Sequence, residues 1–451
     1  MEKIFVHRAI YIGMEMEIWA KSGSEYRHST IAGQGSKNAA LPLLIASIFT
    51  ARKSILKTVP VELEDVRAVV RSLEWLGATV QVKDRVLSID ASVLDRSDLP
   101  PHLSRASRYS LLFLGGLVGR FGVGRIGPPG GCQFGKERGL DFHQLVLEQF
   151  GCELRQEGEW LIGRIVEQKA SEVTLPFPSV GATLQAIIFL TSSDRSGVLH
   201  NAAIEPEIID VVEFLNKSGC DICLNENRSF TVRGYPSDGV THTVPIDRIH
   251  IATVMAYSAI SNTSSLIQWD SPIDVLCLTD TFSALGISIH TDADNHLGVS
   301  VDSKAASSRF DVVADVYPGF PTDALPLIVA ATIRSDRKVR FYDKVFKGRN
   351  NYLEQFNKLG AKVTVVSDRE FIVDGVSSLT SGDVSANDIR GSTSLLLAAI
   401  QTESLTRIKN ARQIARGYER LPLELSNKGF NVHVKNFESN PVHLRSRILV
   451  S

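Results

Sequence analysis

An apolar helical stretch, a glycine and a short alternating run recur six times along the chain. The copies are Trp75-Leu76-Gly77-Ala78-Thr79-Val80, Phe150-Gly151-Cys152-Glu153-Leu154, Ser218-Gly219-Cys220-Asp221-Ile222, Leu285-Gly286-Ile287-Ser288-Ile289, Leu359-Gly360-Ala361-Lys362-Val363 and Lys428-Gly429-Phe430-Asn431-Val432. Their glycines stand 74, 68, 67, 74 and 69 residues apart, a period near 70. The residue that follows a helix often takes the left-handed conformation, which glycine adopts without steric cost. Such a repeat constrains the architecture before any single motif is read, and it predicts six similar helix-to-strand units.

Within a unit, the stretch before the glycine has helical periodicity. From Glu64 to Leu76 one stripe carries Val66, Val69, Val70, Leu73 and Leu76; from Pro206 to Lys217 another carries Ile208, Ile209, Val212, Phe214 and Leu215. The runs after the glycines alternate as strands do, so the class is α/β. A second helix per unit is expected over Lys37 to Phe49, Arg105 to Gly119, Val180 to Thr191, Ile249 to Ile260, Thr322 to Thr332 and Arg390 to Gln401. These are apolar all round, and a helix without a polar face belongs inside a core. Helices inside with sheets outside is the arrangement this pattern predicts. At 451 residues the chain exceeds one ordinary core, so the six units divide into three and three, with a boundary near Val244-Pro245-Ile246.

Charge and apolar patterning remove several function classes. The 49 basic and 50 acidic residues leave a net charge of −1, which gives no bulk attraction to nucleic acid or an anionic membrane. No apolar run approaches the roughly 18 residues of a membrane span, and Met1 to Arg8 lacks a signal peptide's apolar centre. Five cysteines, at 132, 152, 220, 223 and 277, are too few and too irregular for a disulfide framework. The expectation is a reduced, cytoplasmic protein.

Chemistry-bearing residues collect at the mouths of the apolar helices. The first opens Gly35-Ser36-Lys37-Asn38-Ala39-Ala40-Leu41-Pro42, a lysine beside outward-pointing backbone N–H groups and hence an anion site. The fifth is preceded by Pro318-Gly319-Phe320-Pro321-Thr322-Asp323 and the sixth by Asp388-Ile389-Arg390. The loop Pro128-Pro129-Gly130-Gly131-Cys132-Gln133-Phe134-Gly135-Lys136-Glu137-Arg138 presents one thiol near two cations, a setting that favours thiolate. Cys220-Asp221-Ile222-Cys223 has metal-site spacing but no second pair, and reads as a strand.

Taken together, Gly-Ser-Lys-Asn-Ala-Ala-Leu-Pro, Pro-Gly-Gly-Cys, Phe177-Pro178-Ser179-Val180-Gly181-Ala182-Thr183, Glu205-Pro206-Glu207-Ile208, Phe-Pro-Thr-Asp and Arg416-Gly417-Tyr418-Glu419-Arg420 resemble the motifs of the UDP-N-acetylglucosamine enolpyruvyl transferase family. The resemblance runs from about residue 27 to 433, in the family's order. It implies two inside-out α/β domains of three repeats each, residues 37–246 and residues 1–36 with 247–451, around a cleft. It also implies transfer of the enolpyruvyl group of phosphoenolpyruvate to a sugar hydroxyl of UDP-N-acetylglucosamine, with release of phosphate, in peptidoglycan precursor synthesis. No metal or organic cofactor, nucleic acid or membrane is implied, and the protein is expected to be a monomer or weak homo-oligomer.

Carried onto this sequence, the resemblance makes Lys37, Arg138, Arg349, Arg390 and Arg416 candidates for binding phosphoenolpyruvate, whose phosphate and carboxylate suit the arginine fork. Asp323 matches the base that takes the sugar proton, and Cys132 the acid on a mobile loop that protonates C3. Asn38, Ser179, Val180, Gly181 and Asp323 match positions that hold the nucleotide sugar. Asp388 matches an acid lining the cleft, and Arg105 an arginine near the loop. The chain departs from the family in four places. The segment after Cys132 is one residue longer and lacks a proline, Leu184-Gln185 stands for Glu-Asn, His250-Ile251-Ala252 stands for Glu-Ala-Gly, and Ala324-Leu325-Pro326 follows Phe-Pro-Thr-Asp where glutamines are common. The family's loop touches the uridine, so the alternative acceptor is another uridine nucleotide, such as uridine monophosphate in a nucleoside-antibiotic pathway; a silent nucleotide-sugar-binding relative is the third reading.

Overall fold

A computed structural model describes residues 14–50, 52–131, 140–193, 195–269, 275–291, 296–302, 309–385 and 387–438. Cys132 and Arg138 lie outside the described residues. Among those described, six interior helices run over Lys37–Ser47, Ser110–Phe121, Val180–Ser192, Arg248–Ser261, Leu325–Thr332 and Ile389–Ala399. The amphipathic helices Glu64–Trp75 and Pro206–Lys217 lie where their stripes place them. The six repeat glycines, Gly77, Gly151, Gly219, Gly286, Gly360 and Gly429, all take positive φ, between 76° and 111°. Any side chain there would be strained, which is why the glycine recurs.

Two interior helices begin later than periodicity predicts. Arg105 is followed by a turn, and the second helix starts at Ser110; Thr322 and Asp323 stand in a turn before the fifth, which starts at Leu325 with Pro326 in its first turn. A proline at that position lacks only an N–H the helix could not use. Asp323 is thereby left at the helix mouth.

Six four-stranded sheets share one plan: an edge strand parallel to its neighbour, then two antiparallel partners. One hydrophobic core is built from residues between Ala39 and Val244, the other from Ile18, Ala20, Ile31 and residues between Ile246 and Phe430. The chain swaps lobes twice. Strand Ser29–Ala32 pairs in the second lobe with Ser265–Gln268, yet the helix that follows it, Lys37–Ser47, packs in the first. Strand Thr241–Thr243 pairs in the first lobe with Ser54–Lys57, and its following helix, Arg248–Ser261, packs in the second. The two crossings bridge antiparallel at Gly35 and Ile246. Ser36 N donates to Pro245 O at 2.7 Å and Asp247 N to Gln34 O at 2.9 Å.

Close helix packing in the first lobe depends on glycine. On Ser110–Phe121, a Cβ at Gly116 would lie 1.9 Å from Phe49 Cζ, and one at Gly119 would lie 2.1 Å from Ser192 Oγ. Phe49 is itself buried, so its ring has nowhere to move. Gly116→Ala is expected to destabilise the protein by about 1–3 kcal/mol through overpacking. Thermal unfolding checks this, and an unchanged Tm would mean the helices separate freely.

Candidate functional site

All six interior helices turn their N-terminal ends toward one cleft of about 680 Å³ between the lobes. Its lining includes Lys37 and Asn38, Ser107 to Tyr109, Ser179 to Gly181, Arg248 and Ile249, Thr322 and Asp323, and Asp388 to Arg390. Helix N-termini present free N–H groups and the positive end of the macrodipole, so the cleft is predisposed to anions. Four of the six are capped by side chains. Ser36 accepts from Ala39 N, Ser179 from Ala182 N, Asp247 from Ile249 N, and Asp388 from Arg390 N and Gly391 N. Each cap fixes the backbone that carries the neighbouring cleft residue.

Asp323 occupies the centre of the second lobe's contribution. Its Oδ1 accepts from Arg349 Nη1 at 2.9 Å and its Oδ2 from Arg390 Nε at 3.3 Å. Burial alone would push this carboxyl up; the Arg349 and Arg390 guanidiniums, with Lys37 beyond them, hold it well below the usual carboxylate range. Both arginines are buried, and both guanidiniums are held charged. For Arg390, burial opposes the charge, but Tyr418, Asp323 and Asp247 more than offset it. Arg390 Nη1 donates to the Tyr418 hydroxyl at 3.0 Å, which is 2.8 Å from Thr253 Oγ1. Arg349 also donates to Thr322 Oγ1 at 3.2 Å, and Thr322 donates to Asp343 Oδ2 at 2.7 Å. The other oxygen of Asp343 accepts from Val345 N and Phe346 N, shaping the turn that delivers Arg349 to the cleft.

Across the cleft, Lys37 and Arg416 meet on one buried carboxylate. Asp65 Oδ2 lies 3.4 Å from Lys37 Nζ, and Asp65 Oδ1 accepts from Arg416 Nε at 2.9 Å. Lys37 and Asp65 belong to the first lobe and Arg416 to the second, so Asp65 ties the lobes together. A bidentate pair from Arg248 to Glu207, at 2.9 and 3.2 Å, does the same at the opposite side. Near the crossings, Glu419 accepts from Glu62 N at 3.1 Å and pairs with Arg85, while its own N–H donates to Gln34 Oε1 at 2.9 Å. The described cleft is therefore one in which both lobes contribute cations to a shared space.

Of the residues singled out from sequence, Lys37, Asn38, Ser179, Val180, Gly181, Asp323, Arg349, Asp388, Arg390 and Arg416 all line the cleft. Gly181 lies close against His143: a Cβ there would fall 2.7 Å from His143 Nε2, so that ring would have to shift. Arg105 is placed elsewhere. Its backbone abuts Gly130, but its exposed guanidinium is turned to Glu159 at 2.6 Å and does not line the cleft. The physical reason is the turn after Ser104, which directs the neighbouring Ser107, Arg108 and Tyr109 inward instead.

Asp65 escaped sequence reasoning. In Glu62-Leu63-Glu64-Asp65 it looks like an acid in the first turn of a surface helix, where acids are ordinary. Only its burial, at 3 % exposed, distinguishes it. Cys220 is buried and Cys223 exposed, as alternate faces of a strand edge require.

Comparison with known proteins agrees with this geometry. The family model of EPSP synthase (3-phosphoshikimate 1-carboxyvinyltransferase) matches residues 23–425. A UDP-N-acetylglucosamine 1-carboxyvinyltransferase of Buchnera aphidicola subsp. Baizongia pistaciae is 33% identical over 414 residues, 91% of this chain and 98% of that one. UDP-N-acetylglucosamine 1-carboxyvinyltransferase 1 of Carboxydothermus hydrogenoformans is 31% identical over 424 residues, 94% and 99% of the two chains. Among solved structures, the enolpyruvyl transferase NikO from Streptomyces tendae superposes with a TM-score of 0.82 at 18% identity, covering 94% of this chain and 99% of that one. EPSP synthase from Acinetobacter baumannii gives 0.67 at 14% identity, covering 93% and 99%. These two share the inside-out α/β fold. Sequence similarity over nine-tenths of its length makes this chain a member of the UDP-N-acetylglucosamine 1-carboxyvinyltransferase family of enolpyruvyl transferases.

Proposed function

We propose that the protein transfers the enolpyruvyl group of phosphoenolpyruvate to a sugar hydroxyl of a uridine nucleotide, UDP-N-acetylglucosamine being the first candidate acceptor. The observation that carries this reading is the gathering of four cations from both lobes around a single cleft on two carboxylates: Arg349 and Arg390 on Asp323, and Lys37 and Arg416 on Asp65. Phosphoenolpyruvate brings a phosphate and a carboxylate, and fixed guanidiniums match both. Lys37 and Arg416 are assigned to its phosphate end, and Arg349 and Arg390 to its carboxylate.

Asp323 is assigned as the base. Its two arginine partners make it a weak base, because they stabilise its anion. Substrate anions compete for those guanidiniums, and each bond drawn away raises the basicity of Asp323 where the acceptor hydroxyl arrives. The hydroxyl oxygen then attacks C2 of phosphoenolpyruvate, its proton passes to Asp323, and C3 gains a proton from the acid, assigned to Cys132; Arg138 is assigned to phosphoenolpyruvate. The tetrahedral ketal next loses the C3 proton and expels phosphate, which restores the enol ether. Asn38 and Ser179 to Gly181 are assigned to the acceptor, and Asp388 to holding the Arg390 helix mouth.

The second reading, a different uridine nucleotide as acceptor, rests on the one-residue-longer segment after Cys132 and on the departures at Leu184-Gln185 and His250-Ile251-Ala252. One experiment separates them. Phosphate release is measured with phosphoenolpyruvate and, in turn, UDP-N-acetylglucosamine, uridine monophosphate and uridine. A kcat/KM at least about tenfold higher for one acceptor identifies it. Absence of phosphate release with every acceptor refutes enolpyruvyl transfer to a uridine nucleotide.

A further inference from the structure

Most of the cations that line the cleft are neutralised by a carboxylate partner. Lys37 and Arg416 are paired with Asp65, Arg349 and Arg390 with Asp323, Arg248 with Glu207, and Lys344 with Asp315 at 2.7 Å. Lys347 and Arg369 also line the cleft, and among the described residues neither has a carboxylate within ion-pair distance.

The backbone segments that carry these two residues are joined into one small platform. Gly348 N donates to Asp368 O at 2.6 Å, and Asp343 N donates to Arg369 O at 2.9 Å. Arg369 Nη1 donates to the Asp343 carbonyl at 2.8 Å, which fixes the guanidinium against the turn. The same turn carries Val345 and Phe346 into the cleft, and its Asp343 carboxylate is committed to Thr322 and to two backbone N–H groups. Nearby in the lining stands Tyr317; across it stand Tyr109, Phe142, His143 and Phe177. A half-buried arginine and an exposed lysine thus line the cleft from the second lobe.

We propose that Lys347 and Arg369 bind a phosphate of the acceptor, so that the cleft reads two anions at once: phosphoenolpyruvate at the carboxylate-paired cations, and the acceptor's phosphoryl group at the Lys347–Arg369 platform. This rests on the functional reading above and deepens it by naming the residues that read the acceptor's phosphate. Unneutralised cations in a cleft repel one another and gain free energy when an anion enters. The paired inner cations, by contrast, must first yield their carboxylate partners. The outer position therefore favours early capture of the acceptor, and the inner one completes only with phosphoenolpyruvate. The phosphoryl group can be the single phosphate of a nucleoside monophosphate or part of a nucleoside diphosphate sugar.

The test uses the full-length protein and the double variant Lys347→Gln with Arg369→Gln, an exposed and a half-buried position, glutamine at 369 keeping an N–H donor in place of the one given to the Asp343 carbonyl. Phosphate release is measured with uridine monophosphate, UDP-N-acetylglucosamine and unphosphorylated uridine. The expected result is a KM for the phosphorylated acceptor raised on the order of tenfold, a KM for phosphoenolpyruvate within about twofold of the parent, and no effect on uridine. Whichever phosphorylated acceptor is affected identifies the phosphate's source. A rise in the KM for phosphoenolpyruvate instead, an equal shift for uridine, or no shift at all overturns the proposal. Equilibrium titration of both proteins with uridine monophosphate and UDP-N-acetylglucosamine, without phosphoenolpyruvate, reads the same position independently of turnover. If no acceptor supports phosphate release, the functional reading fails while the titration still decides the platform. Equal affinity of parent and variant for both nucleotides there would refute the platform on its own.

Discussion

Asp323→Asn is expected to lower kcat on the order of 10²-fold or more, with a smaller loss of acceptor affinity. Asparagine keeps the shape of the side chain and one acceptor oxygen, but it cannot take a proton. Arg349 and Arg390 then face each other without the anion that now lies 2.9 and 3.3 Å from them. The pH dependence is separable from the chemistry. Because the folded carboxyl is held below its ordinary value near 4, Asp323 stays ionised through the working range of the free enzyme. The kcat/KM profile should therefore show no acid limb from this group around pH 4 to 6. A depressed carboxyl contributes stability that is present above its unfolded pKa and is lost as pH falls through its folded pKa. The parent should accordingly lose more stability below about pH 4 than Asp323→Asn does. Turnover close to the parent's in the asparagine variant would place the base on another residue.

Asp65→Asn should produce a large loss of stability. Asp65 is 3 % exposed and serves two cations from different lobes. Removing one partner of a buried ion pair typically costs about 3–5 kcal/mol, because the remaining charge stays buried without compensation. Here two cations lose their partner, and the tie between the lobes weakens with them. A fall in Tm of roughly 6 °C or more is expected for lobes of this size. Phosphoenolpyruvate should restore part of that loss, since its anionic groups take over the role of the missing carboxylate. Thermal unfolding with and without phosphoenolpyruvate checks both halves. Equal losses in the two conditions would show that Lys37 and Arg416 do not meet the substrate's anions.

The departures at His250 and Gln185 also find physical partners. His250 is buried, and its Nε2 lies 3.0 Å from both oxygens of Glu424. Burial would push the imidazole down, but Glu424 outweighs it and raises the His250 pKa. Glu424 lies on the helix after the Arg416 segment, so this pair fastens that segment beneath the cleft. Gln185 stands at 3.4 Å from His143 Nδ1, on the helix whose first turn holds Val180 and Gly181. Both positions support cleft residues from behind rather than lining the space themselves.

The sequence determined the six-fold unit, because each copy needs a glycine at positive φ where a helix gives way to a strand, and local sterics alone enforce that. It determined the interior helices, because a helix apolar on every face has nowhere else to go, and it marked Lys37, Asp323 and Arg390 at their mouths. Tertiary structure alone decided which lobe each edge strand joins. Ser29–Ala32 pairs with Ser265–Gln268, more than 200 positions away, and strand pairing at that distance leaves no periodic trace in either segment. It likewise decided that Arg105 turns to Glu159 while Asp65, Lys347 and Arg369 face the cleft. Periodicity states which side of an element is buried; what a charged side chain meets there depends on the neighbour that packs against it, and in this protein that neighbour is often the other lobe.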